Sequence, residues 1–146
     1  IMDLKYSEEH VGDPTLESKI FSAVTGNEVD EKGLYRIGER VFNLQRAILV
    51  REGHQGREYD KLPDDWHTRP SKGNPTNIEC LVPGQGGKVI SRKGAVVDRE
   101  GFERMKDEYY QLRQWDVATG LQTRAKLEEL ELKDIAQGLE QRRLLA

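Results

Sequence analysis

Between Asp30 and Gly53 the chain reads DEKGLYRIGERVFNLQRAILVREG, and its apolar residues Leu34, Ile37, Val41, Leu44 and Ile48 recur at steps of three and four. That spacing lays a continuous apolar stripe along one side of an α-helix and predicts a core helix around which the rest of the chain is organised. Asp30 stands where an N-cap belongs, Val29 and Leu34 hold the positions of a hydrophobic staple, and Gly53 supplies the stop. Gly33 and Gly38, inside the helix, each cost about 1 kcal/mol against alanine, which predicts close approach of another backbone there. Phe42, Ala47, Leu49 and Val50 lie beside or opposite the stripe, so the helix is expected to be buried on two sides.

Upstream, residues 1–12 (IMDLKYSEEHVG) show no sustained period and are expected to form an extended lead-in. Asp13 and Pro14 make a cap and first-turn pair ahead of Leu16, Ile20 and Val24, with Gly26 as the C-terminal stop. This predicts a short helix over Pro14–Thr25 that packs back on the core helix as a helical hairpin. From Gly53 to about Val97 the period is lost among Pro63, Pro70, Pro75, Pro83 and the cluster Gly84, Gly86 and Gly87. A long loop region is expected there, ordered by packing rather than by ladders. Within it, Asp64 to His67 are expected to make one helical turn after Pro63, and Ile78–Val82 to pair with Lys88–Ile90 as a hairpin around Pro83–Gly87. Periodicity returns at Asp98. Val97 and Phe102 repeat the staple spacing, Phe102, Met105, Tyr109 and Leu112 form the expected inward stripe of a helix running to about Gln114, and Glu100 with Arg104 adds an outside pair. After a turn over 115–120, Thr123 caps a further helical segment carrying Leu127, Leu130, Ile135 and Leu139, and the tail from Glu140 to Ala146 is expected to fray.

The fold class that follows is mainly α: a multihelical domain over residues 1–146 with a long irregular loop region and one small β-hairpin. Its length suits a single domain able to bury its own core. The balance of 34% charged and 36% hydrophobic residues describes a polar, foldable, soluble chain. Its longest aliphatic run, Ala47 to Val50, falls far short of the roughly 20 residues a membrane helix needs, and no signal peptide opens the chain, so no membrane association is expected and cytoplasm is the default location. A net charge of −3 with the signs interspersed gives no basic footprint for nucleic acid. The first residue is Ile rather than Met, which suggests a processed chain or a piece of a longer one.

Candidate chemistry is sparse. His54, Asp60, Asp64 and His67 together offer enough ligand types for a metal, but loop placement gives them no fixed geometry. Cys80, the only cysteine, cannot form an intrachain disulfide or hold a cluster alone, and no nearby histidine activates it. Gly84, Gln85, Gly86 and Gly87 lack the pattern of a phosphate loop leading into a helix and are expected to be a flexible turn. Asp64 with Asp65 and Glu128 with Glu129 are consecutive acids, which are usually solvated. Tyr109 and Tyr110 beside Trp115 could stack on a ligand, but Tyr109 belongs to the predicted core stripe. Arg36, Arg40 and Arg46 lie off the apolar stripe and are expected to be solvated or ion-paired, with an anionic partner as the other reading. No residue is therefore assigned as catalytic, cofactor-binding or metal-ligating.

Several blocks taken together carry a resemblance: Ile37–Glu52 (IGERVFNLQRAILVRE) with Gly53, Asp60–Pro63 (DKLP), Val96–Asp116 (VVDREGFERMKDEYYQLRQWD) and Leu127–Leu132 (LEELEL). Their order and spacing over residues 16 to 135 resemble the C-terminal domain of the tungsten-containing aldehyde ferredoxin oxidoreductase family. The sequence departs from that family at Gln114 and Glu131, where glycine is usual, at Gln122, where proline is common, and in a longer stretch from Thr68 to Ala95. These departures mark a divergent branch.

The resemblance implies a parent oxidoreductase that oxidises aldehydes to carboxylic acids, using a tungsten or molybdenum bis-pterin and a [4Fe-4S] cluster and passing electrons to ferredoxin or a similar carrier. The cluster ligands of that family lie in CxxCxxxC and DxxGLC motifs, neither of which is present; the second would fall just upstream of Ile1. The chain is then a structural C-terminal fragment holding no cofactor itself, whose partners are the upstream domains of the same protein. Separated from them it would bare an apolar face of the core helix and self-associate. An independent helical protein-interaction module is the alternative.

Overall fold

The computed structural model describes residue 13 and residues 15–146. The expected lead-in over 1–12 and the place of Pro14 lie outside the described residues. The described chain forms six α-helices and one two-stranded sheet, the mainly α fold with a small hairpin that the periodicity predicts. It divides into two compact units: the residues up to His54 together with Gln122–Leu145, and Gln55–Leu121.

The first unit begins with α1 (Leu16–Thr25). Asp13 starts it, its carboxylate accepting from Thr15 N at 2.9 Å and from Thr15 Oγ1 at 2.7 Å. Gly26 ends it at φ 72°, a left-handed turn that costs glycine nothing. The predicted apolar line of α1 is not its buried side: Ile20 and Val24 are exposed and Ser18 is buried. Ser22 closes the following turn, its hydroxyl accepting from Val29 N at 3.0 Å and donating to Val29 O at 3.2 Å. The chain then enters α2 (Glu31–Arg51), which contacts α1 as the hairpin reading expects. Asp30 caps α2 by accepting from Gly33 N at 2.8 Å.

The buried face of α2 differs from the predicted one. Asn43, Arg46, Ala47 and Val50 are buried, whereas Ile37, Val41 and Ile48 of the stripe are exposed, as are Phe42 and Leu49. The face is turned by one residue, about 100°, because the small Ala47 admits the C-terminal helices closely while Asn43 and Glu39 offer them polar partners. Among the described residues the two helix glycines admit no other backbone. A methyl group on Gly38 would meet nothing within 4 Å, and one on Gly33 would meet only the side chains of Val29 and Asp30.

The expected single helix after Thr123 is two: α5 (Arg124–Glu129), with Thr123 Oγ1 accepting from Lys126 N, and α6 (Lys133–Gln141). The break falls at Glu131, whose φ of 61° cannot continue a helix. It turns α6 back on α5, so that Leu127, Leu130, Leu132, Ala136 and Leu139 close around Ala47. The tail is tied rather than frayed. Leu144 N donates to Leu139 O at 3.0 Å, and Leu144 and Leu145 pack on this core.

In the second unit α3 (Asp64–Thr68) follows Pro63 as expected, and the strands β1 (Leu81–Pro83) and β2 (Val89–Ser91) pair antiparallel with Leu81 opposite Ser91, Val82 opposite Ile90 and Pro83 opposite Val89. The hairpin is shorter at its N-terminal side than the sequence suggests, because Cys80 adopts φ 52° and leaves the strand. Side-chain bonds hold the rest of the loop: Asn74 Oδ1 accepts from Thr76 N and Asn77 N, Asn77 Oδ1 from Leu81 N, and Ser91 Oγ donates to Glu79 O. Helix α4 (Arg99–Arg113) is capped by Asp98, which accepts from Gly101 N at 2.6 Å, and ends at Gln114 with φ 56°. Its buried residues are Lys106 and Tyr110, while Met105 and Leu112 of the predicted stripe are 57% and 80% exposed and Phe102 and Tyr109 half-buried.

Candidate functional site

The densest polar assembly among the described residues surrounds Arg57. It lies in a short helical turn at Gly56–Glu58, fixed where Arg57 N donates to Thr119 O at 2.7 Å. Gly56 makes this approach possible: its φ is 62°, and a Cβ there would collide with the same Thr119 carbonyl. The guanidinium reaches α4, donating to Asp107 Oδ1 and Glu103 Oε2 at 2.6 Å each and to Val117 O at 2.9 Å. Burial disfavours the Arg57 cation, but the bonds to Glu103 and Asp107 outweigh it and hold its pKa above the ordinary value. Glu103 is shared with Lys106 at 2.9 Å, and that bond, with Arg57 behind it, keeps its carboxyl below the usual range.

Beneath the ion pairs Tyr110 stacks on Trp115 with ring centroids 6.1 Å apart, and its hydroxyl donates to Asp60 Oδ2 at 2.6 Å. Arg57 lies over the Tyr110 ring, 5.6 Å from its centroid. The turn after Trp115 is locked by Asp116, which accepts from Thr119 Oγ1 at 2.6 Å and Thr119 N at 2.7 Å; the side-chain bond first, then the backbone one, lower its pKa. Acids and cations here are matched and hydrogen-bonded to one another. The arrangement ties α4, the 55–60 segment and the 115–121 turn together, and its two hydroxyl–carboxylate contacts, Tyr110 with Asp60 and Thr119 with Asp116, are part of that bonding.

The residues weighed for a metal take separate partners. Asp60 holds the Tyr110 hydroxyl, Asp64 pairs with Arg99 at 2.7 Å, and His67 Nδ1 lies 2.8 Å from Val97 O with its ring edge-on to Phe102. His54 belongs to the other compact unit. Among the described residues no three His, Cys, Asp or Glu side chains are grouped as metal ligands. Cys80 Sγ sits 3.3 Å from Ser71 Oγ. The glycine cluster forms the hairpin turn, with Gly84 N donating to Lys88 O at 2.6 Å. The consecutive acids are ion-paired rather than merely solvated: Asp65 with Arg69, Glu128 with Arg124 and Glu129 with Lys126. Of the two tyrosines Tyr110, not Tyr109, is the buried one.

In the first unit Arg36 donates to Glu129 O at 2.5 Å and, with Arg40, faces Glu131 at 3.6 and 3.5 Å, while Arg46 is buried. Sequence reasoning passed over Arg57 and Lys126 and met Gln122 only as a departure from the resembled family. Lys126 is buried against Glu39 at 3.0 Å, and Gln122 Nε2 donates to Asn43 Oδ1 at 2.7 Å and Asn43 O at 2.9 Å. Apart from Glu129 beside Lys126, these partners lie far along the chain, so no local spacing announces them; the acids Glu103 and Asp107 at i,i+4, like charges that need a cation between them, were the available signal for Arg57.

Gln114 and Glu131, the two positions where the resemblance expects glycine, both adopt the left-handed conformation that glycine favours. Compared with models of protein families, residues 2–132 match that of aldehyde ferredoxin oxidoreductase, domains 2 & 3. The chain therefore belongs to the aldehyde ferredoxin oxidoreductase family and carries the C-terminal domain type of that oxidoreductase.

Proposed function

We propose that this chain is the helical, non-redox part of an enzyme that oxidises aldehydes to carboxylic acids with a tungsten or molybdenum bis-pterin and a [4Fe-4S] cluster, delivering electrons to ferredoxin or a similar carrier. The match of residues 2–132 to the family carries this reading. A [4Fe-4S] cluster is held by four thiolates, and the sequence contains one cysteine; the donor set does not fit the cluster, whose ligands the reading assigns to the upstream domains. What this chain supplies is packing. Charged side chains pair with one another around Arg57 in one unit and around Lys126 in the other, and the exposed apolar residues Ile37, Val41, Phe42, Ile48 and Leu49 suit a face covered by those domains. Reading the coding region upstream of Ile1 tests this: CxxCxxxC and DxxGLC in frame are expected, and a stop codon directly upstream would overturn it. The purified 146-residue chain is expected to hold no tungsten, molybdenum or iron and to oxidise no aldehyde, and stoichiometric metal surviving a chelator would redirect attention to His54 and His67.

The second reading is an independent helical interaction module, a self-sufficient domain that needs no upstream domains to cover it. If upstream domains normally cover the exposed face, the separated chain self-associates or binds a hydrophobic dye while folded. Sedimentation velocity across concentration distinguishes the two, since a strict monomer that takes up no dye favours the independent module.

A further inference from the structure

In the second unit residues of the segments 65–72 and 92–97 line an open cavity of about 620 Å³. Three backbone bonds pin its walls: Val97 N to Trp66 O at 2.8 Å, Ser71 N to Ala95 O at 2.9 Å and Gly94 N to Ser71 O at 2.8 Å. The cleft is therefore formed before anything enters it. Trp66, 59% exposed, and Val96 give it an apolar floor. Arg69, Lys72 and Arg92 line it against a single acid, Asp65, and that acid already pairs with Arg69 at 3.1 Å. Lys72 and Arg92 make no ion pair among the described residues, in a chain whose net charge is −3 and whose other cations around this cleft, Lys93 and Arg99, are matched to Glu79 and Asp64.

Unmatched cations beside an exposed indole in a preformed groove are a complementary surface for carboxylates flanking an apolar side chain. We infer that this cleft docks an acidic segment of a partner polypeptide, with an aromatic or aliphatic residue laid on Trp66 and flanking Asp or Glu side chains meeting Lys72 and Arg92. An open cavity suits a polypeptide segment better than a small ligand, which is held by enclosure on most sides.

The test is fluorescence anisotropy of a labelled short peptide bearing one Phe among Asp and Glu residues, titrated with the full 146-residue chain. Binding is expected to weaken as salt rises and to fall about tenfold in Lys72→Glu/Arg92→Glu, as reversal of two interfacial charges should produce. Trp66→Ala should weaken it while the peptide without Phe binds the parent chain less well. Circular dichroism melts confirm that each variant is folded, and Lys72→Gln/Arg92→Gln, expected to give a smaller loss, serves if the reversal does not fold. The inference fails if the acidic peptide binds no better than a basic one, or if the charge-reversed folded variant binds as the parent does. It fails too if benzoate competes as strongly as the peptide, which would mark a small-anion site, or if single-stranded RNA of equal length binds more tightly.

Discussion

Lys126 joins α5 to α2 inside the first unit, and its replacement tests whether that join stabilises or merely satisfies. Its side chain is 4% exposed and its ammonium lies 3.0 Å from Glu39 and 3.2 Å from Glu129, acids that are themselves 28% and 46% exposed. Taking one partner from a buried pair costs about 3–5 kcal/mol when nothing replaces it. Here Glu129 remains, and water reaches the site from its side, so Glu39→Ala is expected to cost about 2 kcal/mol. Glu129→Ala removes the wetter partner and should cost about 0.5 kcal/mol. Lys126→Met keeps the aliphatic stem, removes the ammonium from the interior and leaves two acids that can rehydrate, so it should fall within about 1 kcal/mol of the parent. Thermal melts followed by far-UV circular dichroism read these differences, at about 2–4 °C per kcal/mol for a chain of this size. If Lys126→Met lowers Tm as far as Glu39→Ala does, the ion pair is a net contributor and the reasoning from desolvation is wrong.

Gln114→Gly should gain about 0.5 kcal/mol, the relief of a left-handed non-glycine residue less the added freedom of the unfolded chain; Glu131→Gly should gain less, because it also forfeits the facing Arg36 and Arg40, and a urea series comparing the two checks the order. Gly56→Ala should cost more than about 2 kcal/mol, combining a positive φ with a collision at the Thr119 carbonyl, and should lower the midpoint of the Trp115 fluorescence melt; an unchanged midpoint would show that the turn can shift. Asp116, held below its ordinary value of 3.8 chiefly by the Thr119 hydroxyl, contributes stability that is present above that value and lost as pH falls through the lowered one. Thr119→Val should therefore flatten the acid limb of a stability-versus-pH curve, and an unaltered limb would refute the assignment.

The helix starts were legible because capping is local: Asp30, Asp98 and Thr123 each take a backbone N–H three residues on, and Gly26 stops α1 by its own conformation. The buried faces were not. Periodicity counts apolar residues, whereas these interiors also enclose Asn43, Arg46, Lys106, Gln122 and Lys126, long or polar side chains whose stems pack while their heads find distant partners. Stripes such as Ile37, Val41 and Ile48 were read as core and lie on the surface. At the candidate site, Asp60, Tyr110 and Trp115 were all in view as residues, yet Arg57, which lies over Tyr110 and bonds to α4, stands fifty residues from Asp107, and the like-charged Glu103 and Asp107 were its sequence signal.

Pro83 faces Val89 across the hairpin. Gly84 N bonds to Lys88 O and Arg92 N to Cys80 O, so the even-numbered residues of the first strand point their backbone groups at the second, and position 83 points outward. Proline there removes no bond from the ladder and withholds an N–H from the outer edge, where another extended chain would otherwise be recruited. An open strand edge is a seed for intermolecular sheet growth; here the Asn77 amide occupies the outward N–H and C=O of Leu81, and at position 83 the ring acts as a further guard against aggregation while leaving the hairpin intact.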